Sequence, residues 1–144
     1  MNDKCCGGEE LKLLYACSGC ANVGEIADRA ARYLTANGCA KMTCLSAVGA
    51  SLPGFIKSAN AAAVNVTLDG CIIACGKKIL QGAGISAKSI LITDMGCVKN
   101  ETPVTDEVVK EISEKLLQKF PNYFSMSSSS SSGNCDCACD CSGE

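Results

Sequence analysis

Val64-Asn65-Val66-Thr67-Leu68 runs directly into Asp69-Gly70-Cys71-Ile72-Ile73-Ala74-Cys75. Val64, Val66 and Leu68 place apolar side chains at alternate positions with a β-branched bias, which predicts a strand. Gly70 permits a tight turn. The residues after Cys71 predict a helix over about Ile72–Gln81 that stops at Gly82-Ala83-Gly84. A strand that turns at once into a helix is half of a βαβ unit, and the same figure recurs on either side of this stretch.

Upstream, Leu11–Ala16 reads as a first strand and Val23–Ala36 as its helix, with Asn22 at the N-cap position and Glu25 three residues later. Ile26, Ala30, Tyr33 and Leu34 recur at helical spacing, and Asn37-Gly38 supplies the stop. Ala40–Cys44 reads as a second strand, and Pro53-Gly54 opens a helix over about Gly54–Ala62. Downstream, Ser89–Thr93 is a nearly continuous apolar run, as expected of a strand covered on both faces. The last helix is expected over about Asp106–Phe120 with Thr105 as its N-cap. The βαβαβαβα order predicts an α/β fold: a four-stranded, mainly parallel sheet flanked by helices in a Rossmann-like three-layer arrangement with right-handed crossovers. Residues 1–10 read as a flexible lead and 11–124 as the folded domain. Residues 125–144 read as a disordered tail, a serine run at Ser127–Ser132 leading to Cys135-Asp136-Cys137-Ala138-Cys139-Asp140-Cys141.

The chain has 144 residues, enough for one hydrophobic core. Aromatic residues make up 4% and tryptophan is absent, so that core is aliphatic. The net charge of −2 comes with no basic run, which argues against a nucleic-acid partner. No apolar stretch approaches the roughly 20 residues of a membrane span. Met1–Gly8 has no signal-peptide hydrophobic region, so the expected location is the cytoplasm.

There the thirteen cysteines point to metal binding or redox chemistry rather than to a disulfide scaffold. The chain has no histidine, which removes imidazole as ligand or base. A metal site built here uses thiolates, and thiolates select soft ions, zinc and Cu(I), or iron–sulfur clusters.

Cys17, Cys44, Cys71 and Cys97 each follow one of the four strand candidates. In a parallel sheet the carboxyl ends of the strands form one rim, where ligands bind. Cys17-Ser18-Gly19-Cys20 is a C-x-x-C ahead of a helix whose positive N-terminal end favours thiolate. It fits half of a metal site, a thioredoxin-like redox pair, or two unrelated buried thiols. Cys71 and Cys75, at i and i+4 of the expected helix, share a face. Cys39 reads as a small buried hydrophobe. Asp69 and Asp94 read as caps of their turns sooner than as an acid–base pair. Gly19-Cys20-Ala21-Asn22-Val23-Gly24 has phosphate-loop glycine spacing but lacks the lysine and hydroxyl residue that would follow.

Cys17-Ser18-Gly19, Asn22-Val23-Gly24, Lys41-Met42-x-Cys44-Leu45, Asp69-Gly70-Cys71-x-x-x-Cys75 and Thr93-Asp94-x-Gly96 together resemble the DGC-domain family. These are small cysteine-rich proteins to which zinc binding is ascribed. The resemblance runs from about Leu11 to Phe120. It implies a four-thiolate zinc site made of Cys17, Cys44, Cys71 and Cys75, and it implies no reaction. Cys20 and Cys97 stand where other residues are usual in the family. As further ligands they would allow an iron–sulfur cluster at the same rim, in an enzyme or an electron carrier. Cys17 with Cys20 would alternatively make a thiol oxidoreductase.

Cys135, Cys137, Cys139 and Cys141 have the C-x-C spacing of sulfurs that share soft ions in a small cluster, with Asp136 and Asp140 adding negative charge. Cys5-Cys6 stands at the other end of the chain. The leading expectation is a cytoplasmic protein whose partners are soft metal ions, serving in metal handling or as a metal-dependent module.

Overall fold

The computed structural model describes residues 10–124. Cys5, Cys6, the serine run and Cys135, Cys137, Cys139 and Cys141 lie outside the described residues. The elements are β1 (Lys12–Ala16), α1 (Asn22–Ala36), α2 (Leu45–Gly49), α3 (Pro53–Ala61), β2 (Val64–Asp69), α4 (Cys75–Gly82), β3 (Lys88–Leu91), a 3-10 turn (Ile92–Met95) and α5 (Asp106–Lys119). The sheet is parallel with β2 in the middle, in the order β1-β2-β3. The register pairs Lys12 with Val64 and Ala16 with Leu68, then Val66 with Lys88 and Asp69 with Leu91.

Side-chain alternation along β1 makes the two faces. Leu14 and Ala16 join Val66, Leu68 and Ile90 in a core closed by α1 and α5. Leu13 and Tyr15 face the other way, onto Val48, Ala59 and Leu80 of α2, α3 and α4. Both faces of the sheet are thus covered, as the apolar strands require. Ala27, Ala30 and Ala31 of α1 are fully buried, and their small side chains let the helix lie close to the sheet.

The expected strand over Ala40–Cys44 is corrected. Among the described residues the sheet has three strands, not four. That segment meets β1 through one parallel bridge, Leu14 to Met42. Leu14 N–H donates to Lys41 O at 2.9 Å, and Thr43 N–H donates to Leu14 O at 2.8 Å. Pairing stops there because Cys44 already occupies the N-cap position of α2.

The helix expected from Ile72 begins instead at Cys75. Ala74 takes a left-handed conformation, φ 50° and ψ 53°, and its N–H closes a turn on Cys71 O at 2.9 Å. Cys71 and Cys75 are therefore not i and i+4 partners on one helix. The cause is Asp69, fully buried at the end of β2. Its Oδ1 accepts from Gly76 N–H at 2.7 Å. Its Oδ2 accepts from Thr67 Oγ1 at 2.8 Å, Ser89 Oγ at 2.6 Å and Lys77 N–H at 3.3 Å. Those contacts fix where α4 starts and tie it to β2 and β3. Gly76 is required, since a Cβ there would lie 2.9 Å from Asp69 Oδ1 and 3.3 Å from Thr67 Cβ. Gly70 is required too, because a Cβ there would meet Gly24 N at 2.9 Å.

Thr105 caps α5 as expected, its side chain accepting from Val108 N–H. Asn22 does not cap α1, whose N-cap is Ala21 with no side-chain bond. Its amide instead donates to Val98 O at 3.0 Å and Thr102 O at 2.7 Å, while its Oδ1 accepts from Asn100 N–H at 2.7 Å. Asn22 thus pins the loop after the 3-10 turn to the start of α1.

Replacing Asp69 with Asn puts an amide donor among groups that all donate. We expect a loss of about 2 kcal/mol, read as a lower urea midpoint. Burial pushes the Tyr15 hydroxyl up to about 12, where it donates to Asn65 Oδ1 at 3.0 Å. The folded chain keeps this proton longer than the unfolded chain, whose tyrosine ionises near about 10. Stability is therefore intact below about pH 10 and falls as pH rises toward 12, which urea midpoints at pH 9 and 11 will show.

Candidate thiol site

The carboxyl ends of β1 and β2 deliver cysteines to one rim by local backbone constraints. Cys17 continues β1, with its N–H donating to Leu68 O at 2.8 Å. Cys44 leads into α2, and Cys75 is the first residue of α4, placed there by the cap from Asp69. These three thiols, carried by three separate segments, line one cleft of about 930 Å³. Met42, Leu45 and Ile79 make apolar wall, and Ser18, Asp28 and Arg32 add the polar part.

The other expected residues are placed elsewhere. Cys71 does not line the cleft. It is half-buried against the core under α1, and Lys99 Nζ donates to its Sγ at 3.8 Å. Cys20 is exposed and is also not part of the cleft wall. Cys97 is buried in the core with α1 and α5, as is Cys39. Burial pushes both thiols up; at Cys97 the Lys115 ammonium opposes this and Glu111 adds to it. Among the described residues no three Cys, Asp or Glu side chains are gathered as the ligands of one metal ion. The seven cysteines described are all free thiols. Asp69 is fully engaged as a cap, and Asp94 is exposed in the 3-10 turn.

Sequence reasoning missed the polar part of the cleft. Ser18 Oγ donates to Asp28 Oδ1 at 2.9 Å, and Arg32 Nε donates to Asp28 Oδ2 at 2.7 Å. Partial burial pushes the Asp28 carboxyl up, but the bonds from Arg32 and Ser18 and the guanidinium charge outweigh it and hold it below its usual range. The same bond raises Arg32 further, so it stays cationic. The available signal was the i, i+4 spacing of Asp28 and Arg32 along α1.

Chemically, the cleft offers accessible soft donors beside an apolar wall and a fixed cation. Timed alkylation with iodoacetamide, followed by peptide mass analysis, is expected to label Cys20, Cys44 and Cys75 first. Cys39 and Cys97 should follow at least about tenfold more slowly, because both access and thiolate fraction are lower.

The DGC domain family matches residues 13–116, the span from β1 into α5. Over 72 residues the chain is 38% identical to the Anaerobic and virulence modulator AnvM of Pseudomonas aeruginosa. That match takes in 50% of this chain and 55% of the relative, so the chain spans about half the length of the curated protein it matches. No solved structure matches. The matched span covers well over half of the chain, and the chain belongs to the DGC domain family.

Proposed function

We propose that this protein holds a soft metal ion, zinc in the first place, on the thiolates of Cys17, Cys44 and Cys75, with Cys71 as the fourth donor. One observation carries the reading. Three thiols from three segments line a single cleft, Cys44 and Cys75 exposed and Cys17 half-buried, whereas Cys39 and Cys97 are buried among apolar side chains. The donor chemistry fits: the chain has no histidine, and the Asp28 carboxylate in the cleft is engaged by Arg32 and Ser18, which leaves the thiols as the soft donors. The donors are not gathered around one point in the free chain, so binding includes drawing them together.

The structural parts that would move are short. Cys44 starts a helix of five residues, and Cys71 sits in a turn that ends at left-handed Ala74. A non-glycine residue in that conformation costs about 1 kcal/mol or more, which relaxation of the turn would recover. Four thiolates around zinc supply a closed, redox-silent centre that stabilises the fold and holds no water for hydrolysis. The role that follows is metal handling or a metal-dependent module rather than hydrolysis. A modulating role also accords with the name of the relative AnvM. Free thiols at the rim suit a reducing compartment, the cytoplasm. Among the described residues no helix is long and apolar enough to cross a membrane.

Elemental analysis of the full chain, purified without oxygen, tests this. Cys17→Ser, Cys44→Ser, Cys71→Ser and Cys75→Ser should each lower bound zinc by about one ion per chain, and Cys39→Ser should leave it unchanged. Repeating the measurement on a chain ending at residue 132 separates ions held by Cys135–Cys141. Iron in place of zinc, or equal zinc in all the rim variants, would overturn the assignment.

A further inference from the structure

The cleft is larger than an ion requires. Its volume of about 930 Å³ lies within the roughly 300–1,000 Å³ that encloses a small organic molecule. Its one positive group is Arg32, and its one carboxylate is Asp28. Asp28 is engaged at both oxygens: Oδ1 takes Ser18 Oγ and the long Arg32 contact, and Oδ2 takes Arg32 Nε. Arg32 is different. Nε makes a short bond at 2.7 Å, Nη2 makes a long one at 3.4 Å, and the remaining guanidinium donors have no partner among the described residues. The side chain is 68% exposed yet held in orientation by Asp28. A guanidinium fixed by one carboxylate with donors left over is preorganised for a second. Met42, Leu45 and Ile79 would cover an apolar chain attached to it.

We propose that this cleft binds a medium-chain organic acid, its carboxylate on Arg32 and its apolar body along Met42, Leu45 and Ile79, so that the bound acid covers the thiols of Cys44 and Cys75. The acid site goes beyond the metal reading and does not depend on it. Only the consequence rests on that reading: a bound acid would slow the passage of an ion to the thiols. Binding is therefore measured on chelator-treated protein, where the two ideas fail separately.

The probe is octanoate, titrated at pH 7 into the full chain under reducing conditions and followed by amide NMR. Octanol and octylamine serve as matched chains without the negative charge. Octanoate should shift the amides of Cys17–Gly19, Met42–Ser46 and Cys75–Ile79 and slow alkylation of Cys44 and Cys75 but not of Cys20. Octanol and octylamine should bind at least about tenfold more weakly, and Arg32→Gln should weaken octanoate about tenfold or more. Because Arg32 is exposed, that variant should keep its thermal midpoint. Leu45→Ser gives an independent weakening from the apolar side. Equal binding of octylamine or octanol, shifts located elsewhere, or full octanoate affinity in folded Arg32→Gln protein would overturn the proposal. Zinc content unchanged alongside any of these results would leave the metal reading standing.

Discussion

The buried carboxylate of Asp69 is the constraint on which the rim depends. It ends the central strand, accepts hydroxyls from Thr67 on its own strand and Ser89 on β3, and takes the first free amides of α4 at Gly76 and Lys77. Four donors around one carboxylate satisfy its charge without solvent. The arrangement is possible because Gly76 has no side chain to keep the helix away. Once α4 is anchored, Cys75 must be its first residue, and the chain between Gly70 and Ala74 must cross the rim as a turn.

That turn separates two cysteines that sequence spacing would join. Cys75 stays with Cys17 and Cys44 on the cleft, and Cys71 rests against the core under α1 beside Lys99. Ile72 and Ile73, between them, point to solvent at 85% and 49% exposure. Exposed isoleucines and a left-handed alanine in one short turn make this stretch of the rim costly to hold, and so able to rearrange. Under the proposed zinc site, this turn is the segment that would move for four sulfurs to converge.

Much of this was legible in the sequence. Alternating apolar residues located β2, an apolar run located β1, the 3.6-residue period located α1 and α5, and Thr105 marked its helix start because a hydroxyl before a free amide has one obvious partner. Cys39 was legible as core. The failures share a cause, which is competition from distant partners. Ala40–Cys44 has strand-like residues but only Leu14 to pair with, so it forms one bridge. Ile72-Ile73 looks helical, yet the amides that would extend the helix backwards are claimed by Asp69. Asn22 has the chemistry of a cap, but three backbone groups from residues 98–102 claim its side chain. In the site, Cys17 and Cys44 were readable from strand ends, whereas the same reading placed Cys71 and Cys97 at the rim and Cys75 only as a helical partner of Cys71. The Ser18–Asp28–Arg32 cluster was not readable, because nothing in a solvent-facing ion pair shows from sequence alone that a cleft lies beside it.

X-ray absorption at the zinc edge of the zinc-loaded full chain tests the account most directly, since it reports the donor atoms themselves. The account predicts a sulfur shell near about 2.3 Å that loses intensity when Cys17, Cys44 and Cys75 are together replaced by serine. An oxygen or nitrogen shell in the parent chain, or a sulfur shell unaltered in that triple variant, would contradict it.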